Sequence, residues 1–83
     1  MAGSKQITLT YFALLREQRG LGEESVTTPA PTVADLYGEL AGKHGFTLQA
    51  YQLKVAINGD FAPMDHPLAD GDAVVFIPPV AGG

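Results

Sequence analysis

The sequence predicts an α+β domain in which a mixed sheet of about five strands packs against one main helix. Apolar segments with strand character stand near both ends of the chain, and one longer segment with helical periodicity lies between them. Tight turns separate the remaining segments. Because 83 residues suit a single domain, we predict a body over residues 1–77 and a protruding, flexible tail over residues 78–83.

The first strand is predicted within KQITLTYFA, where Ile7, Leu9 and Tyr11 alternate with polar residues. The LLREQRG segment that follows predicts a helical turn ending at Gly20. EESVTTP then predicts a second short strand with Val26 and Thr28 on its inner face, and Pro29 and Pro31 end that strand.

The main helix is predicted to follow Thr32, because Thr32 can cap it and Asp35 occupies the capping-box position three residues later. Gly45 lies just beyond the final turn, where a left-handed residue commonly ends a helix. An irregular stretch with a helical turn over residues 48–52 is expected next. The apolar residues at helical spacing are Val33, Leu36, Tyr37 and Leu40.

Two predicted turns separate the remaining strands. Asn58-Gly59 accepts the positive φ angles of a type I′ turn, which predicts a hairpin, and Pro63 confines its second arm to a sheet edge. Asp70-Gly71 predicts another tight turn. The continuously apolar AVVFIP predicts a last strand covered on both faces. With one helix across the sheet, the first and last strands can pair in parallel at its centre, which is the ubiquitin-like β-grasp arrangement.

Composition excludes several classes of function. The chain has no cysteine, which excludes disulfides, thiolate metal ligands and thiol nucleophiles. Its formal net charge is −4 and its five Lys and Arg residues are dispersed, so we expect a basic protein partner and no nucleic acid. No apolar run matches a membrane span or a secretory signal, so we expect a cytoplasmic protein without membrane contact.

Catalytic signals within the predicted body are weak. His44 and His66 have no second ligand at metal spacing, so no metal site is expected. Asp65, Asp70 and Asp72 surround a turn, where aspartate commonly serves the backbone rather than acid–base chemistry. We therefore expect the isolated chain to have no catalytic site of its own and no tightly bound cofactor.

The final residues, PPVAGG, carry the strongest functional signal. Pro78 and Pro79 fix φ and direct the chain away from the body. Gly82 and Gly83 have no Cβ, so their backbone can thread a channel too narrow for other residues. A partner that adenylates the Gly83 carboxylate with ATP would convert it into an acyl donor toward sulfur or an amine. Ordinary terminal fraying is the alternative interpretation.

A partner surface is predicted beside this tail. Phe12 and Ile77 are expected on the sheet face opposite the main helix, and Phe61 is difficult to bury on its short edge arm. Exposed apolar patches often mark interfaces, whereas coverage by a loop is the alternative. The full predicted interface consists of Phe12, Phe61, Ile77, Pro78, Pro79, Val80 and Ala81.

Five motifs, YFALLRE, TVADL, VAING, DHPLADGD and PPVAGG, are distributed over nearly the whole chain. In these motifs the sequence resembles the small subunits of molybdopterin synthase, a family of ubiquitin-like sulfur carriers. The resemblance implies that Gly83 is adenylated and then carries sulfur as a thiocarboxylate, and that Gly82 enters the partner's channel beside it. The sulfur would pass to cyclic pyranopterin monophosphate to form the dithiolene of molybdopterin.

The resemblance also implies two protein partners. One is an activating enzyme that adenylates and sulfurates the tail, and the other is the large synthase subunit, in a heterotetramer with two copies of each subunit. This chain would then be the sulfur-donating part of a sulfurtransferase. Ala73 stands where relatives often have glutamate, so a partner salt bridge at that position is not carried over.

Three alternatives to this function stay open at the level of sequence. A sulfur carrier for thiamin or tRNA thiolation would share the fold and the Gly-Gly pair. A ubiquitin-like protein modifier would join Gly83 to a lysine. A passive interaction domain would not need the last residues at all.

Overall fold

The computed structural model describes residues 3–79, and within them the predicted α+β architecture is confirmed. The elements in chain order are β1 (Lys5–Tyr11), α1 (Ala13–Arg19), β2 (Glu23–Thr28), α2 (Val33–His44), a 3-10 helix (Ala50–Gln52), β3 (Lys54–Ile57), β4 (Asp60–Ala62) and β5 (Ala73–Ile77). The predicted turn before Gly20 is thus a seven-residue helix, and the turn predicted over residues 48–52 is the 3-10 helix.

The described strands form one mixed sheet in the order β2-β1-β5-β3-β4. β1 pairs antiparallel with β2, and β3 pairs antiparallel with both β4 and β5. β1 and β5 pair in parallel at the centre, with Leu9 opposite Val74 and Tyr11 opposite Phe76. This parallel central pair confirms the predicted topology, since the crossover through α2 lets the first and last strands run in the same direction.

The hydrophobic core lies between α2 and one face of the sheet. Four aromatic rings meet in it, with the ring centroids of Tyr37 and Phe76 5.3 Å apart and those of Tyr11 and Phe46 5.6 Å apart. Such contacts add to the stability that burial provides. The buried hydrophobic residues are Ile7, Leu9, Tyr11, Leu15, Ala30, Val33, Leu36, Tyr37, Leu40, Phe46, Leu53, Val55, Ile57, Leu68, Val74 and Phe76.

The ends of α2 follow the sequence signals. The Thr32 hydroxyl accepts a hydrogen bond from the Asp35 N–H at 3.3 Å and donates one to the Asp35 carboxylate at 2.8 Å. Gly45 ends the helix with φ = 71°, and its N–H donates to the Ala41 carbonyl at 2.9 Å. The predicted start and stop of the main helix are both confirmed.

The hairpin turn also matches its prediction. Asn58 has φ = 52° and Gly59 has φ = 91°, and two consecutive positive φ angles define the type I′ geometry. This turn joins β3 to the three-residue edge strand β4. Pro63 follows that strand immediately, so its missing N–H costs no hydrogen bond within the sheet.

The prediction that β5 is covered on both faces is wrong. Val74 and Phe76 are buried against the core, but Val75 and Ile77 are only half-buried and Ala73 is exposed. The sequence pattern misled because a continuous apolar run is typical of parallel strands with helices on both faces. Here the second apolar face of β5 is part of the exposed outer face of the sheet.

Candidate functional site at the root of the tail

β5 leads directly to the predicted tail. Its last pair joins Ile77 to Lys54 of β3, and Pro78, which follows, is buried, whereas Pro79 is exposed. The first residue of the predicted tail therefore packs against the body. The remaining predicted tail and interface residues, Val80, Ala81, Gly82 and Gly83, lie outside the described residues.

A half-open apolar groove of about 550 Å³ borders this exit. We call it the tail groove. The predicted interface residues Phe12, Ile77, Pro78 and Pro79 all line it, so the structure brings these four together. The complete lining is Phe12, Ala13, Leu14, Glu17, Leu48, Ile77, Pro78 and Pro79.

The backbone conformation changes abruptly where the groove meets α1. Phe12 is extended, with φ = −126°, and the next residue, Ala13, has φ = 51°. A left-handed conformation costs an L-residue about 1–2 kcal/mol, and strained residues cluster at functional sites. Phe12 is the single residue between β1 and α1, and its side chain is 48% exposed.

Phe61 occupies a different part of the same sheet face. Neighbouring strands place Val75 opposite Ala56, and Ala56 opposite Phe61. Phe61 is therefore two strands away from β5, with Ala56 of β3 between them, and it is 75% exposed. It lines a separate groove of about 370 Å³ with residues of β3 and β4. Phe61 is thus exposed near the β4 edge of the sheet, apart from the four predicted interface residues that line the tail groove.

A half-buried ion pair fixes the far end of α1. The Arg19 guanidinium donates two hydrogen bonds of 2.8 Å to the Glu24 carboxylate of β2. The Tyr11 hydroxyl donates a third to the same carboxylate at 2.7 Å. Together with Leu15, the only buried residue of α1, these contacts hold the short helix against the sheet.

These contacts also fix the protonation state of the cluster. The hydrogen bonds from Arg19 chiefly, and from Tyr11, lower the pKa of Glu24 to about 2 against the opposing effect of burial. Burial and then the Glu24 carboxylate raise the pKa of Tyr11. Glu24 is therefore ionised and Tyr11 is neutral across the physiological pH range. In these protonation states the Glu24 carboxylate can accept the hydrogen bonds from both Tyr11 and Arg19.

The predicted aspartate group serves the backbone. The Asp70 carboxylate accepts a hydrogen bond from the Gln6 N–H at 2.7 Å, and the Asp72 carboxylate accepts from the Ala69 N–H at 2.8 Å and from the Asn58 amide at 2.9 Å. Asp65 is exposed. These contacts match the turn role weighed from the sequence.

The two histidines lie apart from the tail groove. His44 is the last residue of α2, its ring centroid is 5.7 Å from that of Phe46, and burial is the largest cause lowering its pKa. His66 Nδ1 lies 2.7 Å from the Pro67 carbonyl oxygen. Among residues 3–79, no three side chains of the His, Cys, Asp or Glu types are grouped to hold a metal ion, and no helix there is long and apolar enough to cross a membrane.

Two residues that line the tail groove, Leu14 and Leu48, were not predicted from the sequence. Leu14 is next to the buried Leu15 in the helix, and a seven-residue segment is too short to show which leucine faces inward. Leu48 falls in an irregular segment with no periodicity. The LL pair of YFALLRE was the one available signal, because two adjacent leucines cannot both face the same side of a helix.

Comparison with known proteins decides the family. The ThiS family model matches residues 9–83 of the chain. The chain belongs to the ThiS family. Among ThiS family relatives, the molybdopterin synthase sulfur carrier subunit of Escherichia coli (strain K12) is 38% identical over 80 residues, which cover 93% of this chain and 99% of the relative. The resemblance seen in the five motifs is thereby confirmed.

Solved structures share the fold. The small archaeal modifier protein 1 of Haloferax volcanii matches with a TM-score of 0.76 and 27% identity, covering 92% of this chain and 99% of that one. A complex of subunits 1 and 2 of the molybdopterin-converting factor from Helicobacter pylori 26695 contains a chain that matches with a TM-score of 0.61 and 25% identity, covering 94% and 99%. These matches confirm the predicted ubiquitin-like β-grasp fold.

Proposed function

We propose that this chain is the sulfur carrier subunit of a molybdopterin synthase and that it carries sulfur as a thiocarboxylate on Gly83. The observation that carries the proposal is the near-full-length similarity to the Escherichia coli sulfur carrier subunit. The family match extends through Gly82 and Gly83. The apolar groove beside the root of the tail supports it, because a carrier must dock before its tail can react.

Loading takes place on an activating partner. The Gly83 carboxylate attacks the α-phosphorus of ATP and releases pyrophosphate, which gives an acyl adenylate. A persulfide sulfur of the partner attacks the carbonyl carbon and displaces AMP. A thiol then cleaves the sulfur–sulfur bond of the acyl disulfide and leaves the thiocarboxylate. Sulfur resides on the terminus because the chain has no thiol that could hold it instead.

Delivery takes place in the large synthase subunit. The thiocarboxylate sulfur attacks a carbon of cyclic pyranopterin monophosphate and displaces the oxygen substituent of that carbon. Hydrolysis of the resulting thioester breaks its bond between the Gly83 carbonyl carbon and sulfur, which leaves the sulfur on the pterin and returns Gly83 to a carboxylate. Two such transfers supply both sulfurs of the dithiolene. Gly82 accompanies Gly83 into the channel, where a side chain would collide with the walls.

The body supplies docking and positioning to this chemistry. Phe12, Ile77 and Pro79 border the tail groove and offer apolar area to a partner, and Phe61 extends the apolar surface on the same face. A pair of subunits such as the Helicobacter pylori complex is the arrangement we expect, in a heterotetramer with two copies of each. ATP is bound by the activating enzyme in this scheme, and the carrier holds no cofactor of its own.

Terminal peptide mass spectrometry tests the proposal. The protein is incubated with its activating enzyme, ATP and a sulfur source, and we expect Gly83 to gain the mass of one oxygen-to-sulfur exchange. Adding large subunit and pyranopterin should reverse the gain. A chain lacking Gly82 and Gly83 is the control and should gain nothing while unfolding at the same temperature. A carboxylate that stays unchanged in the full chain contradicts the proposal.

A protein modifier is the second candidate, because the small archaeal modifier protein 1 matches over 92% of this chain. In that function the Gly83 carbonyl forms an isopeptide bond with a lysine of another protein. The same mass analysis separates the two functions, since a conjugate appears at the combined mass of two proteins. A sulfur carrier for thiamin or tRNA thiolation would load in the same way but leave the pyranopterin unchanged.

A further inference from the structure

Lys54 lies on the outer face of the sheet, between the two apolar grooves. It is exposed and alternates with buried residues of β3 that face the core. On one side it is directly opposite Ile77 of β5. On the other side Ala56 is opposite Phe61, so Phe61 is the diagonal neighbour of Lys54. Directly opposite residues of antiparallel strands have Cβ atoms about 5 Å apart and diagonal ones about 7–8 Å apart, so Lys54 stands next to both apolar side chains.

The groove around Phe61 also includes this cation in its lining. We call it the edge groove, and its described lining is otherwise uncharged, with Phe61, Pro63 and Met64 among its apolar residues. Lys54 thus borders the edge groove, and its direct partner Ile77 borders the tail groove. A partner that covers both grooves has to pass over Lys54.

No carboxylate of residues 3–79 neutralises Lys54. The outward-facing residues of the described strands include only one other charged side chain, Glu23 of β2. Three strand spacings separate the two residues, which is at least about 14 Å at roughly 4.8 Å per spacing. Glu17 lines the tail groove from α1 but forms no ion pair with Lys54, because the one ion pair within this part of the chain is Arg19–Glu24.

Covering the two grooves would remove water from around the Lys54 ammonium. An ammonium that loses its hydration without a compensating anion is strongly unfavourable. A carboxylate on the partner would accept hydrogen bonds from the ammonium and offset its charge. Charge pairs placed within an apolar interface also fix the register of two proteins and exclude partners of the wrong charge.

We propose that Lys54 is a specificity-determining residue of the docking face, and that the large synthase subunit presents a carboxylate to it between apolar contacts on Ile77 and Phe61. The proposal rests on the proposed function and specifies the chemistry of the partner surface. At this site it reverses the basic partner expected from the net charge of −4. The acidic excess lies largely on other surfaces, such as Asp35 and Glu39 on α2.

Calorimetric titration of the full chain with the large subunit tests the pairing. Lys54→Met removes the charge and keeps an unbranched apolar stem, and we expect the dissociation constant to rise on the order of 10-fold. Lys54→Glu places two like charges opposite each other and should raise it on the order of 100-fold. The unfolding midpoint of both variants should stay close to that of the wild type, since Lys54 is exposed in the unbound chain.

Lys43→Glu is the matched control. Lys43 is an exposed lysine in the last turn of α2, which packs on the opposite face of the sheet. The substitution changes the net charge by the same amount as Lys54→Glu, but it should change the dissociation constant less than about 2-fold, because salt screens a distant exposed charge. Equal weakening by the two variants would assign the effect to net charge and overturn the proposal.

The direction of the effect decides between an acidic and a basic partner surface. Tighter binding by Lys54→Glu would show a basic surface at this site, and unchanged binding by both Lys54 variants would show no charge pairing there. Either result overturns the proposal and leaves the proposed function standing. A large subunit that does not bind the wild type contradicts the proposed function and the pairing together.

A second copy of this chain is the other occupant that the experiment has to separate. Sedimentation of the wild type alone measures its self-association, and we expect a monomer. A dimer that Lys54→Glu dissociates would show that the carboxylate opposite Lys54 belongs to another copy of the chain, which also overturns the proposal.

Discussion

The two ends of the sheet are built differently. At one end, which we call the turn end, hydrogen bonds join the Asn58-Gly59 hairpin turn to the Asp70–Asp72 turn. The Asn58 side chain donates to the Asp72 carboxylate and accepts from the Ala73 N–H, both at 2.9 Å. At the other end, which we call the tail end, β5 finishes at half-buried Ile77. There β1 is followed by Phe12, which is exposed, and by Ala13, which has a positive φ.

The difference separates stability from interaction within one small sheet. Hydrogen-bonded turns stabilise the fold and offer a partner few apolar contacts. Exposed apolar residues contribute little to folding and gain burial only when a partner covers them. Substitutions at the turn end should therefore alter the free energy of unfolding, and substitutions at the tail end should alter binding and transfer.

Phe12→Asp at the tail end should have the largest effect. Burying an unpaired carboxylate against the large subunit should weaken binding by about 2–5 kcal/mol. The free energy of unfolding should change by less than about 1 kcal/mol, since Phe12 is 48% exposed. Calorimetric titration and thermal unfolding measure the two effects, and a larger loss in folding than in binding contradicts the comparison.

Phe61→Asp sharpens the same test. Phe61 is separated from β5 by β3 and lines its own groove, so its effect on affinity reports whether the partner's footprint crosses β3. An effect equal to that of Phe12→Asp would show one continuous interface, and no effect would restrict the interface to the tail groove.

Asp72→Ala at the turn end should give the reverse pattern. The Asp72 carboxylate accepts hydrogen bonds from the Ala69 N–H and the Asn58 amide, so its loss should lower the free energy of unfolding by about 2 kcal/mol. Affinity for the large subunit should stay unchanged. Denaturant unfolding measures the first quantity, and a parallel loss of affinity would count against the separation of the two ends.

Glu24→Gln should have a smaller effect that depends on pH. Since Glu24 has its pKa lowered from 4.5 to about 2 in the folded protein, its ionised form stabilises the fold fully above about pH 4.5. That contribution is lost as the pH falls toward 2. Glu24→Gln should cost about 1–2 kcal/mol at pH 7.

Unfolding followed between pH 7 and pH 2 provides the measurement. The wild type should lose stability more steeply than Glu24→Gln below pH 4.5, so the two curves should approach each other in acid. Curves that stay parallel would show that the Arg19 and Tyr11 contacts do not stabilise the ionised carboxylate.

Ala13→Gly should have the smallest effect. Glycine adopts a positive φ without the steric cost that alanine bears, but it loses more conformational entropy on folding. The two terms nearly offset, so we expect a stabilisation of less than about 1 kcal/mol in thermal unfolding. Ala13→Val is the matched contrast and should be clearly destabilising, because a β-branched side chain is least tolerated at φ = 51°.

The sequence predicted those features that depend on local chemistry. The Thr32 cap, the Gly45 stop and the Asn58-Gly59 turn each follow from the conformational preferences of a few adjacent residues. The parallel pairing of β1 with β5 followed from topology, and it correctly placed Phe12 near Ile77.

The features that the sequence did not predict depend on tertiary contacts. Gln18 meets Thr47 only after two distant segments have folded together. The sheet order alone reveals that β3 separates Phe61 from β5. The coverage of the outer face of β5 was predicted wrongly, because apolar residues give the same sequence pattern whether or not another part of the same domain covers them.

The central position of β5 also determines when the carrier becomes competent. β5 pairs with β1 on one side and β3 on the other, so the sheet cannot close until the chain has been synthesised through Ile77. Contacts between such distant segments slow folding, because a long loop must be ordered first. The same strand that completes the sheet ends at Ile77, which lines the tail groove. The proposed docking surface therefore forms in the same cooperative step as the fold, and an incompletely folded chain does not offer it to a partner.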